Sequence, residues 1–348
     1  MDWLTDKVAR SDKVFYLQAQ KKQATLTKPP GSLGVLEEIA IRLAALQKSQ
    51  RPVLDRVWVS VFAADHGVAA ESVSAFPQSV TAAMVQNFAN GGAAVNVLSH
   101  YVSASFEVID VGLLNTVDDN KVIIDRAGKG TENFVQKASM TQTQLQSALL
   151  TGKDAVFRAL EQGAQLFIGG EMGIANTTSA SAMEVALTGL TAKQLAGAGT
   201  GLNKDEIKHK IKIIEKAINL HKNFLVSPLK VLQYLGGFEI AALLGAYIFA
   251  AQKGLPVLVD GFIASVAALL AIKINPEVEP WFFYAHCSHE KGHKLVLKQL
   301  QARPLLDLKL RLGEGSGAVA AVPLLQMACK IHNEMATFSQ AEITIIKG

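Results

Sequence analysis

The chain has 348 residues, 49% of them hydrophobic and 18% charged, with a net charge of +4. That composition can bury the core of one large domain, or of one domain with an appendage. The lysines and arginines are scattered, with no basic block and no aromatic interleaving, which excludes nucleic acid as a partner and suits an anionic small substrate.

Met1 to Lys7 is polar and carries acids, so it does not read as a secretion signal, and a cytoplasmic protein is expected. Leucine and isoleucine recur at helical spacing over 36–47. A β-branched apolar run at 57–63 then leads into Asp65-His66-Gly67. Helical spacing returns at 79–88, a second apolar run spans 106–111, and a long helix is predicted over 141–161. The run at 165–168 meets Gly169-Gly170-Glu171, which reads as a turn. Helices are predicted at 178–187, 205–220 and 238–252. The most apolar stretch, 255–272, is broken by Asp260-Gly261, so it reads as a strand at 256–259 and a helix at 262–272, not a membrane span. A last strand at 281–284 precedes helices at 289–300 and 318–334. Continuous apolar runs mark buried parallel strands, and their alternation with helices predicts an α/β fold with a mostly parallel sheet flanked by helices. The two ends show helical spacing only. They are expected to form a small helical domain, approximately 1–50 plus 304–348, beside a large α/β substrate-binding domain at 51–303. Cys287 and Cys329 are the only cysteines, which offers no disulfide framework and fits a reducing compartment.

Open α/β sheets bind ligands at the carboxyl ends of their strands, and most strands here end in a polar or glycine-rich turn. The densest motif is Arg311-Leu312-Gly313-Glu314-Gly315-Ser316-Gly317, one carboxylate among three glycines ahead of an apolar helix. Missing Cβ atoms let a ligand approach such a turn closely, and its bland reading is a solvated helix start. Gly173-Ile174-Ala175-Asn176-Thr177-Thr178 opens a helix, where backbone amides and two hydroxyls can hold a phosphate, or Asn176 and Thr177 can simply cap. Gly197-Ala198-Gly199-Thr200-Gly201 is a second such turn, followed by a lysine-rich helix with Lys208 and Lys210. Neither turn matches the Walker pattern or the dinucleotide fingerprint.

His286-Cys287-Ser288-His289-Glu290-Lys291-Gly292-His293 places His289 and His293 four apart, on one face of the predicted helix. The His-Glu-x-x-His order of zinc enzymes is absent, and no metal or other cofactor is expected. Asp65 and His66 are adjacent in the chain and do not make a dyad by themselves. No Gly-x-Ser-x-Gly elbow exists, which counts against a hydrolase; the rival readings are a phosphate-binding α/β hydrolase or lyase using Glu314 and His66, and a nucleotide-binding or regulatory subunit.

Six motifs together resemble one family. They are Lys28-Pro29-Pro30-Gly31-Ser32-Leu33-Gly34, Ala64-Asp65-His66-Gly67-Val68, Gly170 through Thr178, Gly236-Gly237-Phe238-Glu239, Leu255 through Phe262, and Arg311 through Gly317. In that order they resemble the nicotinate-nucleotide–dimethylbenzimidazole phosphoribosyltransferases over nearly the whole chain. The resemblance implies a Rossmann-like sheet with a small helical domain, a homodimer, and transfer of phosphoribose from nicotinate mononucleotide to a benzimidazole. Glu314 falls on the family's catalytic glutamate and Glu171 on its second active-site carboxylate. Gly173, Ala175, Asn176, Thr177, Thr178, Gly199, Gly201 and Lys210 fall on the phosphate and ribose site, and Phe76, Met84 and Leu312 on the base pocket. Phe76 and Met84 depart from the polar residues of well-known members. The chemistry fits: nicotinate leaves as a neutral ring nitrogen, while the attacking benzimidazole becomes cationic and acidic at its second nitrogen, where a carboxylate can act as general base.

Overall fold

The computed structural model describes residues 1–199 and 201–343. In chain order the elements are α1 (Lys13–Thr25), α2 (Val35–Gln47), β1 (Val57–Ala64), α3 (Val80–Ala89), α4 (Ala94–Tyr101), β2 (Ser105–Gly112), β3 (Val122–Ile124) and α5 (Gln142–Glu161). There follow β4 (Leu166–Met172), α6 (Asn176–Thr188), α7 (Ala192–Leu195), α8 (Lys204–His221), α9 (Pro228–Leu235), α10 (Phe238–Lys253), β5 (Val257–Val259), α11 (Phe262–Ile274), β6 (Phe282–Tyr284), α12 (Lys291–Gln299) and α13 (Ser316–Glu334).

Six strands form one all-parallel sheet in the order β3-β2-β1-β4-β5-β6. This is the Rossmann-like class expected. β1 is central, with Val61 opposite Val108 of β2 and Gly170 of β4. The strand order reverses direction between β1 and β4, which opens a crevice outside their carboxyl ends. α10 is apolar all round and buried from Phe238 to Ala251, because it lies between the sheet and α5. Among the described residues no helix is long and apolar enough to cross a membrane.

Three expectations need correction. β4 continues to Met172, so Gly169, Gly170 and Glu171 belong to the strand and not to a turn. The glycines stand there because neighbours press on the strand: a Cβ at Gly169 would strike the side chain of Leu243, and one at Gly170 would strike the main chain of Glu314. Secondly, the carboxyl-terminal region is not helical throughout. Residues 305–306 run alongside β6, with Leu305 N–H donating to the Tyr284 carbonyl at 3.0 Å and Leu306 N–H to Ala285 at 2.9 Å. The alternation of leucine with polar residues over 306–312 is a strand period. Thirdly, α12 begins at Lys291, so His289 lies before it and shares no helix face with His293. His293 is buried neutral, its pKa driven down to about 3 by burial, with Nε2 3.0 Å from Ser265 Oγ and Nδ1 accepting from Ser288 N–H at 2.8 Å.

α1 also lacks a sequence signal, since its buried residues are Ala19 and Gln23, and Asp12 caps it by accepting from Val14 N–H at 2.8 Å. α1, α2 and α13 pack together. Gln23 Nε2 lies 2.9 Å from His332 Nδ1, and Leu26 bridges to Thr337. Residues 344–348 of the expected helical domain lie outside the described residues.

Glu184 of α6 is fully buried with neither carboxylate oxygen hydrogen-bonded among the described residues, and burial raises its pKa to about 8. A folded-state value above the unfolded one makes the neutral acid stabilising at low pH. That contribution is complete below the unfolded value and is lost as pH rises towards 8. Glu184→Gln, which cannot ionise, is therefore expected to match the parent near pH 4.5 and to be the more stable protein at pH 8.5. The gap should grow by at most ~1.4 kcal/mol per pH unit in between. Denaturant melts across that range check it, and a pH-independent difference would contradict the assignment.

Candidate active site

A cavity of about 380 Å³ opens outside the carboxyl ends of β4, β5 and β6, beside α3. Its polar wall includes Glu171, Asn176, Thr177, Glu290, Arg311 and Glu314, and its apolar wall Phe76, Val80, Met84, Ile263 and Leu312. A second cavity of similar volume, between α2 and β6, balances Arg42 and Arg303 against Glu38 and Glu279 and holds no comparable convergence.

The turn carrying Glu314 is built from left-handed backbone, with φ of +87° at Gly313, +66° at Glu314 and +87° at Gly315. Glycine adopts that conformation freely, whereas a side chain there costs about 1–2 kcal/mol. A strained non-glycine residue held by its surroundings points to function. What holds it is Asp260, which accepts from Gly315 N–H at 3.3 Å and from Ala318 N–H at 2.7 Å. Below, the absent Cβ of Gly170 lets the Glu314 main chain rest on β4. The carboxylate is buried at 4% exposure, with one oxygen unpartnered among the described residues. Burial, then the charge of Asp260, raises its pKa to about 7 against the opposing N–H of Val95. That value matches a proton acceptor working at neutral pH.

Glu171 enters the same cavity from the end of β4 and is bonded by the side-chain amide of Asn176. Burial first, then the charges of Glu239 and Asp260, raises its pKa well above the usual carboxylate range. One cavity thus holds two carboxyls whose proton affinities are raised by burial and by the shared charge of Asp260, a pattern concentrated in active sites.

The start of α6 forms the anion side. Among the described residues no side chain caps this helix, and Ala175 at its head has φ of +78°. Ile174 N–H donates to Thr81 Oγ1 at 3.1 Å, which fixes the turn. Lys210 reaches from α8 to donate to Thr177 Oγ1 at 2.8 Å. It is buried at 1% exposure, unlike the exposed Lys208, and burial lowers its pKa to about 8. Gly199 lies beside the same hydroxyl, since a Cβ there would stand 3.0 Å from Thr177 Oγ1 and 3.6 Å from Lys210 Nζ. Arg311 Nη1 is 3.5 Å from the Gly199 carbonyl. A helix start with two cations beside it is a place for a phosphate.

Most of the anticipated residues therefore converge, with exceptions. Thr178 is fully buried and its hydroxyl is absent from the cavity wall. Ala175 and Lys210 do not line the cavity either, Lys210 standing buried behind Thr177, and Gly201 is exposed at φ +128° and away from the wall. Thr200, between the two expected glycines, lies outside the described residues. Phe76 and Leu312 stand at the mouth, 51% and 60% exposed, and Met84 is half-buried behind them. Sequence reasoning missed Arg311 and Asp260 as parts of the site, although both lie within the six family motifs. His66 does not face the cavity: it is fully buried against Glu239, which removes the second residue of the hydrolase reading.

A family model described as Phosphoribosyltransferase matches residues 8–343. A protein of Pseudomonas fluorescens named nicotinate-nucleotide–dimethylbenzimidazole phosphoribosyltransferase is 52% identical over 342 residues, covering 98% of this chain and 97% of that one. One of the same name from Azotobacter vinelandii is 51% identical over 344 residues, covering 98% of each. The crystal structure of the so-named enzyme from Thermus thermophilus superposes with a TM-score of 0.90 at 42% identity, covering 96% of this chain and 99% of that one.

Proposed function

The chain belongs to the nicotinate-nucleotide–dimethylbenzimidazole phosphoribosyltransferase family, and from that premise we propose that it moves 5-phosphoribose from nicotinate mononucleotide to 5,6-dimethylbenzimidazole or a related base. The products are nicotinate and α-ribazole 5′-phosphate. The observation that carries this reading is the left-handed Glu314 turn facing the anion side of α6 across one cavity.

The phosphate sits at the head of α6, on the backbone of residues 173–177, with Thr177, Gly199, Lys210 and Arg311 around it. Glu171, held by Asn176, orients the ribose. The acceptor ring lies against Phe76, Met84 and Leu312. The bond from C1′ to the nicotinate nitrogen breaks while the bond from C1′ to a benzimidazole nitrogen forms on the opposite face, which inverts the anomeric carbon. Positive charge moves from the pyridinium to the acceptor ring, and Glu314 takes the proton from its second nitrogen. Positioning the two rings in line and stabilising a cationic sugar among buried carboxylates supply the rest.

The assembly is read as a homodimer. Exposed Val97 and Tyr101 on α4, beside α13, and the open mouth at Phe76 and Leu312 support a covering partner. The packing of α1, α2 and α13 supports a small helical domain, and the two unpaired cysteines fit the cytoplasm.

Nicotinate release measured with and without dimethylbenzimidazole tests the reaction class. Release that requires the base is expected, and equal release without it would mean hydrolysis. The apolar wall also predicts acceptor choice. An exocyclic amine buried against Phe76 and Met84 without a partner costs about 1–3 kcal/mol. Competition in one reaction is expected to favour dimethylbenzimidazole over adenine by about ten-fold or more. Equal incorporation would show that another group pairs the amine.

A further inference from the structure

One buried ionisable pair has no part in the chemistry above. His66 and Glu239 are both fully buried, with Nε2 2.7 Å from Oε1. Neither lines the cavity. A buried ion pair is seldom more stabilising than apolar side chains of the same shape, so stability alone is a weak reason for one. Its location offers a better reason. His66 lies two residues past the end of β1, and its ring fills the gap between two segments that meet behind the site. On one side is Gly173, the first residue of the anion turn, where a Cβ would stand 3.1 Å from the ring Cδ2 and 3.2 Å from Nε2. On the other is Gly237, the N-cap of α10, where a Cβ would stand 2.7 Å from Nε2. Glu239 lies in the first turn of α10, where the helix dipole favours a carboxylate. The His66 main chain is itself anchored, its carbonyl accepting from Gln78 Nε2 at 3.0 Å. The imidazole is therefore a spacer of fixed orientation, bolted to α10 and bearing on the turn whose backbone faces the phosphate.

We propose, resting on the reaction given above, that His66 and Glu239 are positioning residues for the nucleotide: the pair sets the height of Gly173 and so aims the head of α6 at the 5′-phosphate. The same carboxylate is the foremost of the charges that raise the proton affinity of Glu171, which ties the pair to the ribose side as well.

The test compares the full-length enzyme with His66→Ala and His66→Gln, the latter keeping a donor near the position of Nε2. Michaelis constants for nicotinate mononucleotide and for dimethylbenzimidazole are measured separately, with circular dichroism to establish folding. His66→Ala is expected to raise the constant for the nucleotide by about ten-fold or more while that for the base stays within about two-fold. His66→Gln should recover most of the loss. If His66→Ala does not fold, His66→Asn, whose amide is too short to reach Glu239, is held to the same criteria. Equal changes in both constants, an unchanged nucleotide constant, or no recovery with Gln would overturn the proposal. An unaltered enzyme that releases no nicotinate would instead overturn the parent reaction, so the two failures are distinct.

Discussion

Glu314→Gln is expected to lower kcat by about 10²–10⁴-fold while both substrates still bind. The substitution keeps the size and hydrogen-bonding capacity of the side chain and removes the proton acceptor. The surrounding turn does not depend on the carboxylate: Asp260 holds Gly315 and Ala318 through their N–H groups, and Gly170 receives the main chain of residue 314. The loss should therefore fall on turnover and not on folding or affinity. Calorimetric titration of the variant with each substrate, beside steady-state rates, separates these. Near-normal turnover at neutral pH would remove Glu314 from the proton-transfer step. Glu171→Gln, which keeps a side chain for Asn176 to bond, is expected to give the smaller defect of the two.

The second large effect is on the nucleotide. Lys210→Met preserves the length of a side chain that is almost wholly buried but removes its charge and its bond to Thr177. A hydrogen bond to a charged group contributes about 1.5–3 kcal/mol, which corresponds to about 10–150-fold in binding. The Michaelis constant for nicotinate mononucleotide is expected to rise within that range, while that for the base stays nearly constant. The Lys210 pKa of about 8 adds a direction. Burial disfavours the cation and an arriving phosphate favours it, so nucleotide affinity should weaken as pH rises above about 8 in the parent and not in the variant. An unchanged constant in Lys210→Met would mean that Arg311 and the α6 backbone hold the phosphate without it.

Much of this is legible in the sequence because the chemistry is written in contiguous motifs. The Glu314 turn, the head of α6 and the Gly199 turn each announce themselves by glycines beside polar groups. The parallel strands announce themselves by unbroken apolar runs. What local reading misses is whatever is set by neighbours distant in the chain. Gly169 and Gly170 look like a turn, and only the packing of Leu243 and Glu314 against β4 shows why a strand needs them. Lys210 looks like one lysine of a solvated face, and its burial follows from how α8 meets α6. Asp260 looks like a strand-end acid, and its task as the clamp of the Glu314 turn spans more than fifty residues of chain. The sequence pattern starts α12 too early, at His289, because the polar residues before Lys291 offer no apolar period to fix the helix start. The edge segment 306–312 does carry a signal, its two-residue alternation, which the surrounding helical stretches obscure.

Whether a glutamate forced into left-handed backbone serves as the base for phosphoribosyl transfer is decided by the pH dependence of kcat/KM for dimethylbenzimidazole. kcat/KM reports the ionisation of the free enzyme. Glu314 accepts a proton only when ionised, so the rate should fall as pH drops below about 7, the value that burial and Asp260 impose on it. Protonation of the acceptor base adds a limb common to every variant, so the readout is the difference between the parent enzyme and Glu314→Gln. With Glu314 as the base, a one-proton limb near pH 7 is expected in the parent and is expected to be missing from the residual activity of the variant. The same limb in both proteins, or a flat profile through neutrality in the parent, would contradict it.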